Sequence, residues 1–180
     1  MNRRSEYHSA AMRHLIALLA AGVWRWATLL GLVLCLSTGC SSASSTFALT
    51  GAAVDPTYFC PGGANNAPYD IHATVAVHNG NNSAVAIRAV TARMTLISVN
   101  GDWLEKLGSS YDAGTVQFSP ASVSPGSTTT LKVTIPSACT SDKYGSSGSS
   151  FADYQVIIHV ATSTGAFTIR AENQHEIIAA

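Results

Sequence analysis

From Thr46 onward apolar residues recur at every second position, and Gly, Pro, Asn and Ser separate the runs. That period belongs to half-buried β-strands rather than helices. Tyr69 to His78 alternates so that Ile71, Ala73, Val75 and Val77 share one face, and His72, Thr74 and His78 the other. The first set is expected to face inward. Asn79-Gly80-Asn81-Asn82 follows as a turn of residues that tolerate positive φ, and Ala84 to Val99 is a second β-rich run. At about fifteen residues this run is long for one strand, so a bend or break is expected near Val90 to Ala92.

Asn100-Gly101-Asp102 marks the next turn, and Trp103 to Leu107 is the one stretch after Thr46 that reads as a helix. Thr115 to Phe118 is a short strand ended by Pro120. Thr128 to Ile135 alternates through Leu131, Val133 and Ile135, and Ala138 to Ser150 is a Ser/Gly-rich loop. The last pair of runs is the clearest hairpin: Tyr154, Val156, Ile158 and Val160 share a face, Thr162-Ser163-Thr164-Gly165 turns the chain, and Phe167, Ile169 and Ala171 return it. With Phe47-Ala48-Leu49 at the start, about seven to nine short strands predict an all-β antiparallel sandwich over residues 46–180.

The middle of the chain resembles immunoglobulin-like and fibronectin-type-III-like modules. The resemblance rests on Val77-His78-Asn79-Gly80-Asn81-Asn82-Ser83 leading into Val85 and Ile87, and on Ser124-Pro125-Gly126-Ser127-Thr128-Thr129-Thr130-Leu131 before an alternating strand. It implies a scaffold and no particular activity. The tryptophan and disulfide pattern of antibody domains is absent, since Cys60 precedes the Tyr69 strand and Trp103 lies in a turn.

Residues 1–45 follow a different pattern. Arg3, Arg4 and Arg13 precede two apolar blocks, Leu15 to Trp24 and Trp26 to Leu36, and Ser37-Thr38-Gly39 then leads to Cys40. Basic, apolar and small residues in that order form an export signal. The segment resembles the signal peptide of bacterial lipoproteins, whose lipobox ends in a cysteine that is diacylated and becomes the new N-terminus. Here Ser37 stands where that box has leucine, and Leu36 lies one position early. The rival reading is an uncleaved membrane helix over Leu15 to Leu36, but Arg25 near its middle would cost on the order of 2.5–3.5 kcal/mol. A start at Met12 would instead make Arg13 and Arg25 the basic portion and Trp26 to Leu36 the apolar core. The resemblance implies a signal peptide over residues 1–39, lipid on Cys40 and a polar tether over residues 40–45. It also implies a protein exported and anchored to a bacterial membrane. Acyl chains contribute about 0.8 kcal/mol per buried methylene, so two hold firmly without another anchor.

Cleavage there changes the charge. The whole sequence has ten basic and ten acidic residues. The portion from Cys40 keeps Arg88, Arg93, Lys106, Lys132, Lys143 and Arg170 against Asp55, Asp70, Asp102, Glu105, Asp112, Asp142, Asp153, Glu172 and Glu176, six against nine, a net charge of −3. Six scattered cations make nucleic acid and anionic headgroups poor partners. Two cysteines, Cys60 and Cys139, remain after Cys35 is removed and Cys40 lipidated, and an even pair in an exported chain predicts a disulfide.

Catalytic constellations are weakly represented. His175-Glu176-Ile177-Ile178 opens like the zinc-protease His-Glu-x-x-His, but Ala179 stands where the second histidine is needed. Gly145-Ser146-Ser147-Gly148 lacks the spacing of a nucleophile elbow. His72 and His78 would lie ~20 Å apart along one strand, too far to share an ion, and each would need a neighbour such as His159. No cofactor and no metal are expected. One loop has mixed chemistry: Asp102 and Glu105 flank Trp103, with Leu104 and Tyr111 nearby. An aromatic between acids could meet a glycan or a basic peptide, and it could equally pack onto the sandwich.

The expectation is a lipid-anchored binding or structural module rather than an enzyme. Its alternatives are an accessory subunit of an envelope complex that pairs through a sheet edge, and an enzyme assembled from Asp102, Glu105 and Asp153.

Overall fold

The computed structural model describes residues 46–139 and 150–179. The predicted signal peptide, Cys40 and the tether lie outside them, as does most of the Ala138 to Ser150 loop. Eleven strands follow in chain order: β1 (Phe47–Val54), β2 (Thr57–Cys60), β3 (Ala67–Asn79), β4 (Val85–Asn100), β5 (Ser110–Thr115), β6 (Gln117–Ser119), β7 (Ser122–Val123), β8 (Ser127–Cys139), β9 (Ser150–Thr162), β10 (Ala166–Arg170) and β11 (His175–Ala179). They form two sheets packed as a sandwich. One has the order β1-β3-β8-β6, and the other β2-β11-β9-β4-β5, with β10 also on β9 and β7 also on β4. In the lettering of the immunoglobulin fold these are A-B-E-D facing G-F-C, with β5 added beyond C.

Alternation builds the core. Ile71, Val75 and Val77 of β3, Leu131 and Ile135 of β8, and Val156, Ile158 and Val160 of β9 are fully buried. Each strand therefore presents one apolar row to the opposite sheet, as period two requires. Their polar neighbours face solvent: β3 and β8 pair through thirteen residues, setting His72 opposite Thr134 and His78 opposite Thr128 on the outer surface.

Four features differ from the sequence expectation. The strand count is higher, because β2, β5, β7 and β11 are too short to show a period. The sandwich is not wholly antiparallel: β2 runs parallel to β11, with Thr57 opposite Glu176 and Cys60 opposite Ala179. The long run over Ala84 to Val99 does not break at Val90 to Ala92, which are buried or half-buried within β4. Register shifts against β9 at Ile87/Ala89 and Leu96/Ser98, and against β5 at Ala92/Arg93 where a bend was expected, absorb its length without a break. Finally, Trp103 to Leu107 is a loop of bends and turns.

Cys60 and Cys139 form a disulfide with Cα atoms 6.0 Å apart. It ties β2 in one sheet to the end of β8 in the other. Nearby, β1 is closed against the segment between β10 and β11. The Glu172 N–H donates to the Ala52 carbonyl at 2.8 Å. The Asn173 side chain accepts from Val54 N–H at 3.0 Å and donates to Val54 O at 2.8 Å.

Candidate functional site

The loop between β4 and β5 crosses the end of the sandwich that holds the disulfide. Gly101 starts it at φ +78°, and a Cβ there would lie 2.6 Å from Ser150 Oγ, so only glycine fits this turn. The Asp102 N–H donates to the same Oγ at 3.2 Å. At the far end of the loop, Gly108 N–H donates to Leu96 O and Leu96 N–H to Ser109 O, both at 2.9 Å, which pins the segment back onto β4.

Trp103 packs against the core, and its indole N–H donates to the Tyr154 hydroxyl at 3.1 Å. It backs the site and is not among the residues that line it. Tyr111 reaches from β5 across to the other sheet, its hydroxyl donating to Pro136 O at 3.2 Å. Between these features lies a pocket of about 250 Å³ lined by Asn66, Met94, Glu105, Tyr111, Ser137, Ala138, Tyr154 and Ile177. Its floor is apolar, since Met94 and Ile177 are buried core side chains. Two tyrosines, Glu105, Asn66 and Ser137 complete the lining.

Of the four loop residues singled out in the sequence, Glu105 and Tyr111 meet in this pocket. Asp102 is exposed on the turn outside it. Asp153 points to the outer face of its sheet, paired in register with Ser98 and Glu176, so it does not join Glu105. The sequence did not reveal Asn66, Ser137 or Tyr154. Asn66 adopts φ 55°, the one positive-φ residue other than glycine among those described, and its signal was only an Asn pair before Ala67. Tyr154 read as a core residue of β9. A hydroxyl on a core-facing row must find a partner, and that requirement was the available clue.

The histidines stand apart from the pocket. His72 Nδ1 lies 3.0 Å from Asp55 Oδ2 on the exposed surface, and His78 Nδ1 lies 3.0 Å from Thr128 Oγ1. His159 pairs with Thr168 Oγ1 at 2.8 Å on the outer face of the other sheet, so it cannot complete a site with either. No group of three or more His, Cys, Asp and Glu side chains able to hold a metal ion occurs among the described residues. His175 is buried in the interior, its Nδ1–H donating to Asp55 O at 2.7 Å.

No family model matches the chain, and no curated protein sequence matches it. Among solved structures, it is similar to a PapD-like domain of human CEP192, at 11% identity over 79% of this chain and 92% of that one, with a TM-score of 0.28. It is also similar to AggA, the major subunit of aggregative adherence fimbriae type I from Escherichia coli, at 9% identity over 75% and 96% of the two chains, with a TM-score of 0.33. A third similar structure is BslA, a bacterial hydrophobin, at 14% identity over 74% and 96%, with a TM-score of 0.27.

Proposed function

We propose that this chain is an exported binding module, moored to a bacterial membrane by lipid on Cys40, that takes its ligand in the pocket walled by Tyr111 and Tyr154. The observation that carries the binding reading is the pocket's position. The chain enters the sandwich at Phe47, which pairs with Asn79 at one end of β3, whereas Ser137 and Ala138 pair with Tyr69 and Pro68 at the other. The pocket thus lies at the end of the sandwich opposite Phe47, about 40 Å away at strand rise. A tethered domain that binds at its far end meets partners beyond the surface that holds it.

The disulfide supports export, because such bonds persist in oxidising compartments. Assembly by strand addition is less favoured, because the outer edges are short or guarded. The outer edge of β1 is occupied over Ala52 to Val54 by Glu172 and Asn173. β6 has three residues and β2 four. β5 carries a register irregularity against Ala92/Arg93 and an Arg93–Asp112 pair at 3.4 Å.

The mooring is tested by fractionating cells that express the wild type or Cys40→Ala, with mass spectrometry of the N-terminal peptide. Acylated Cys40 in the membrane fraction is expected, and the variant should leave that fraction or accumulate as precursor. Normal processing with unchanged fractionation of Cys40→Ala would remove the lipid from the proposal.

A further inference from the structure

Away from the pocket, strand pairing gathers cations that the sequence scatters, and we infer that the outer face of the sheet centred on β9 binds a small phosphate or sulfate ester between Arg93 and Arg170. The register places them. Arg93 of β4 and Arg170 of β10 both stand opposite Ile157 of β9, one on each side. Residues paired across strands share a face, and neighbouring strands lie about 4.8 Å apart, so the two arginines flank Ile157 with Cα atoms about 10 Å apart. His159, two residues along β9 on the same face, stands opposite Thr91 and Thr168. Both arginines and His159 are exposed, whereas Ile157 is half-buried and forms the floor between them.

Three donor groups around one apolar floor set the chemistry. A guanidinium presents a planar fork of N–H donors that matches an oxyanion. Two forks from opposite sides and an imidazole from a third call for three acceptor oxygens, which a phosphate or sulfate ester has and a carboxylate lacks. His159 Nδ1 lies 2.8 Å from Thr168 Oγ1. When it accepts from that hydroxyl, the neutral ring carries its proton on Nε2, as a donor to an oxyanion. Arg93 pairs with Asp112 at 3.4 Å, but both side chains are more than half exposed. Such a pair contributes little, and it leaves most of the five donors of Arg93 unused. Arg170 has no ion pair among the described residues.

Charge limits the size of the ligand. Arg88, exposed at the irregularity of β4, adds a third cation on one side. The acids nearest to the arginines in the chain or the sheet are Asp112 and Glu172, the latter two residues past Arg170, where the chain has reached Ala52 of β1. Asp153 and Glu176 lie opposite each other farther along the same face, with Asp153 about 13 Å from Ile157 at strand rise. A small ester stays within the basic area, whereas an anionic bilayer or a long polyanion against the whole face would meet those two carboxylates. The exposed large apolar side chains, Phe59, Ile97, Leu104, Leu107 and Tyr111, lie outside the area between the arginines, which therefore has no anchor for a protein partner.

The test uses the full chain in non-ionic detergent, isotope-labelled at its backbone amides. The resonances of Ile157, His159 and Arg170 are followed during titration with methyl phosphate, methyl sulfate and acetate. Both esters should shift them saturably, with an affinity of about 1 mM or weaker for such small probes, and acetate should shift them much less. Arg93→Gln and Arg170→Gln should each weaken the ester response by roughly tenfold. Lys132→Gln, on the outer face of the other sheet opposite Thr74, should leave it unchanged. All three side chains are exposed, and unshifted amides elsewhere in each unliganded variant show that the fold is intact. No saturable response, an equal response to acetate, or equal weakening by Lys132→Gln overturns the inference. A larger shift on doping the detergent with phosphatidic acid than on adding methyl phosphate overturns the small ester in favour of a lipid headgroup. The titration depends on neither acylation nor the tyrosine pocket, so its outcome is separate from theirs.

Discussion

Two polar residues buried in this sandwich show how single side chains support it. Asn79 is fully buried at the end of β3, where its amide nitrogen donates to the carbonyls of Ser83, Val123 and Ser124 at 2.9–3.1 Å. Its oxygen accepts from Asn81 N–H at 3.1 Å, two residues on, which is the hydrogen bond that closes an Asx-turn. The turn at Asn79-Gly80 was legible in the sequence, but its mechanism differs from the one expected. Side-chain hydrogen bonds make it, with no positive φ at Asn79, Asn81 or Asn82. Gly80 serves close approach, since a Cβ there would lie 2.9 Å from Thr46 Oγ1. His175 is the second such residue. Burial pushes its imidazole below the ordinary histidine range, and this outweighs the opposing pull of the Asp55 carbonyl and carboxylate. A depressed folded value means that the unfolded chain takes up the proton first as the pH falls below about 6.5. Stability is therefore full above that pH and declines toward pH 5, by at most about 1.4 kcal/mol per pH unit for one proton. Urea midpoints measured from pH 7.5 to 5 should fall for the wild type and flatten over that window in His175→Gln. Parallel curves for the two proteins would show that His175 is not the titrating group.

At the scale of strands, legibility followed length. β3, β8 and β9 each run for thirteen residues, enough turns of the alternation to fix both the element and its inward face. β11 has five residues, and His175, the first of its inward row, has a polar side chain that masks the pattern even though it is buried beside Ile177 and Ala179. Four-residue β2 was invisible for the same reason, and what keeps it in place is covalent as well as hydrogen-bonded. Its one strand partner is the parallel β11, while the Cys60–Cys139 bond fastens it to β8 across a sequence separation of 79. Chain entropy predicts a stabilisation of about 4–5 kcal/mol for a closed loop of that size. The Cys60→Ser/Cys139→Ser double variant should lose up to that amount in chemical denaturation. Hydrogen exchange in the variant should rise first at Tyr58 and Phe59, whose strand has lost its second tether. Uniform loss of protection across β3 and β9 would mean that the bond supports the whole core rather than this corner.

For the molecule as a whole, the sequence made the two ends of the story readable and left their geometric relation hidden. The lipobox resemblance concerns Cys40, and the aromatic-acid loop concerns Trp103 and Glu105, but no period or motif says on which side of a sandwich each will lie. Strand connectivity decides it. β1 begins beside Asn79, β3 runs the length of the domain, and the β4–β5 loop closes the opposite end. The tether from Cys40 to Thr46 can reach at most about 20 Å, roughly half the ~40 Å separating the two ends of β3. If Cys40 carries lipid as proposed, the chain-entry end stays within that reach of the bilayer and the pocket end can extend beyond it. A fluorophore placed by Asn82→Cys, in the turn after β3, should be quenched strongly by quencher-bearing lipids, and one placed by Leu107→Cys much less. Lengthening the Ser41–Ser45 segment with ten or so Gly/Ser residues should erase the difference, since the span of a flexible linker grows with the square root of its length. Equal quenching at both sites with the natural tether would show the domain lying flat against the membrane, with the pocket too close to the lipid to receive a partner from beyond it.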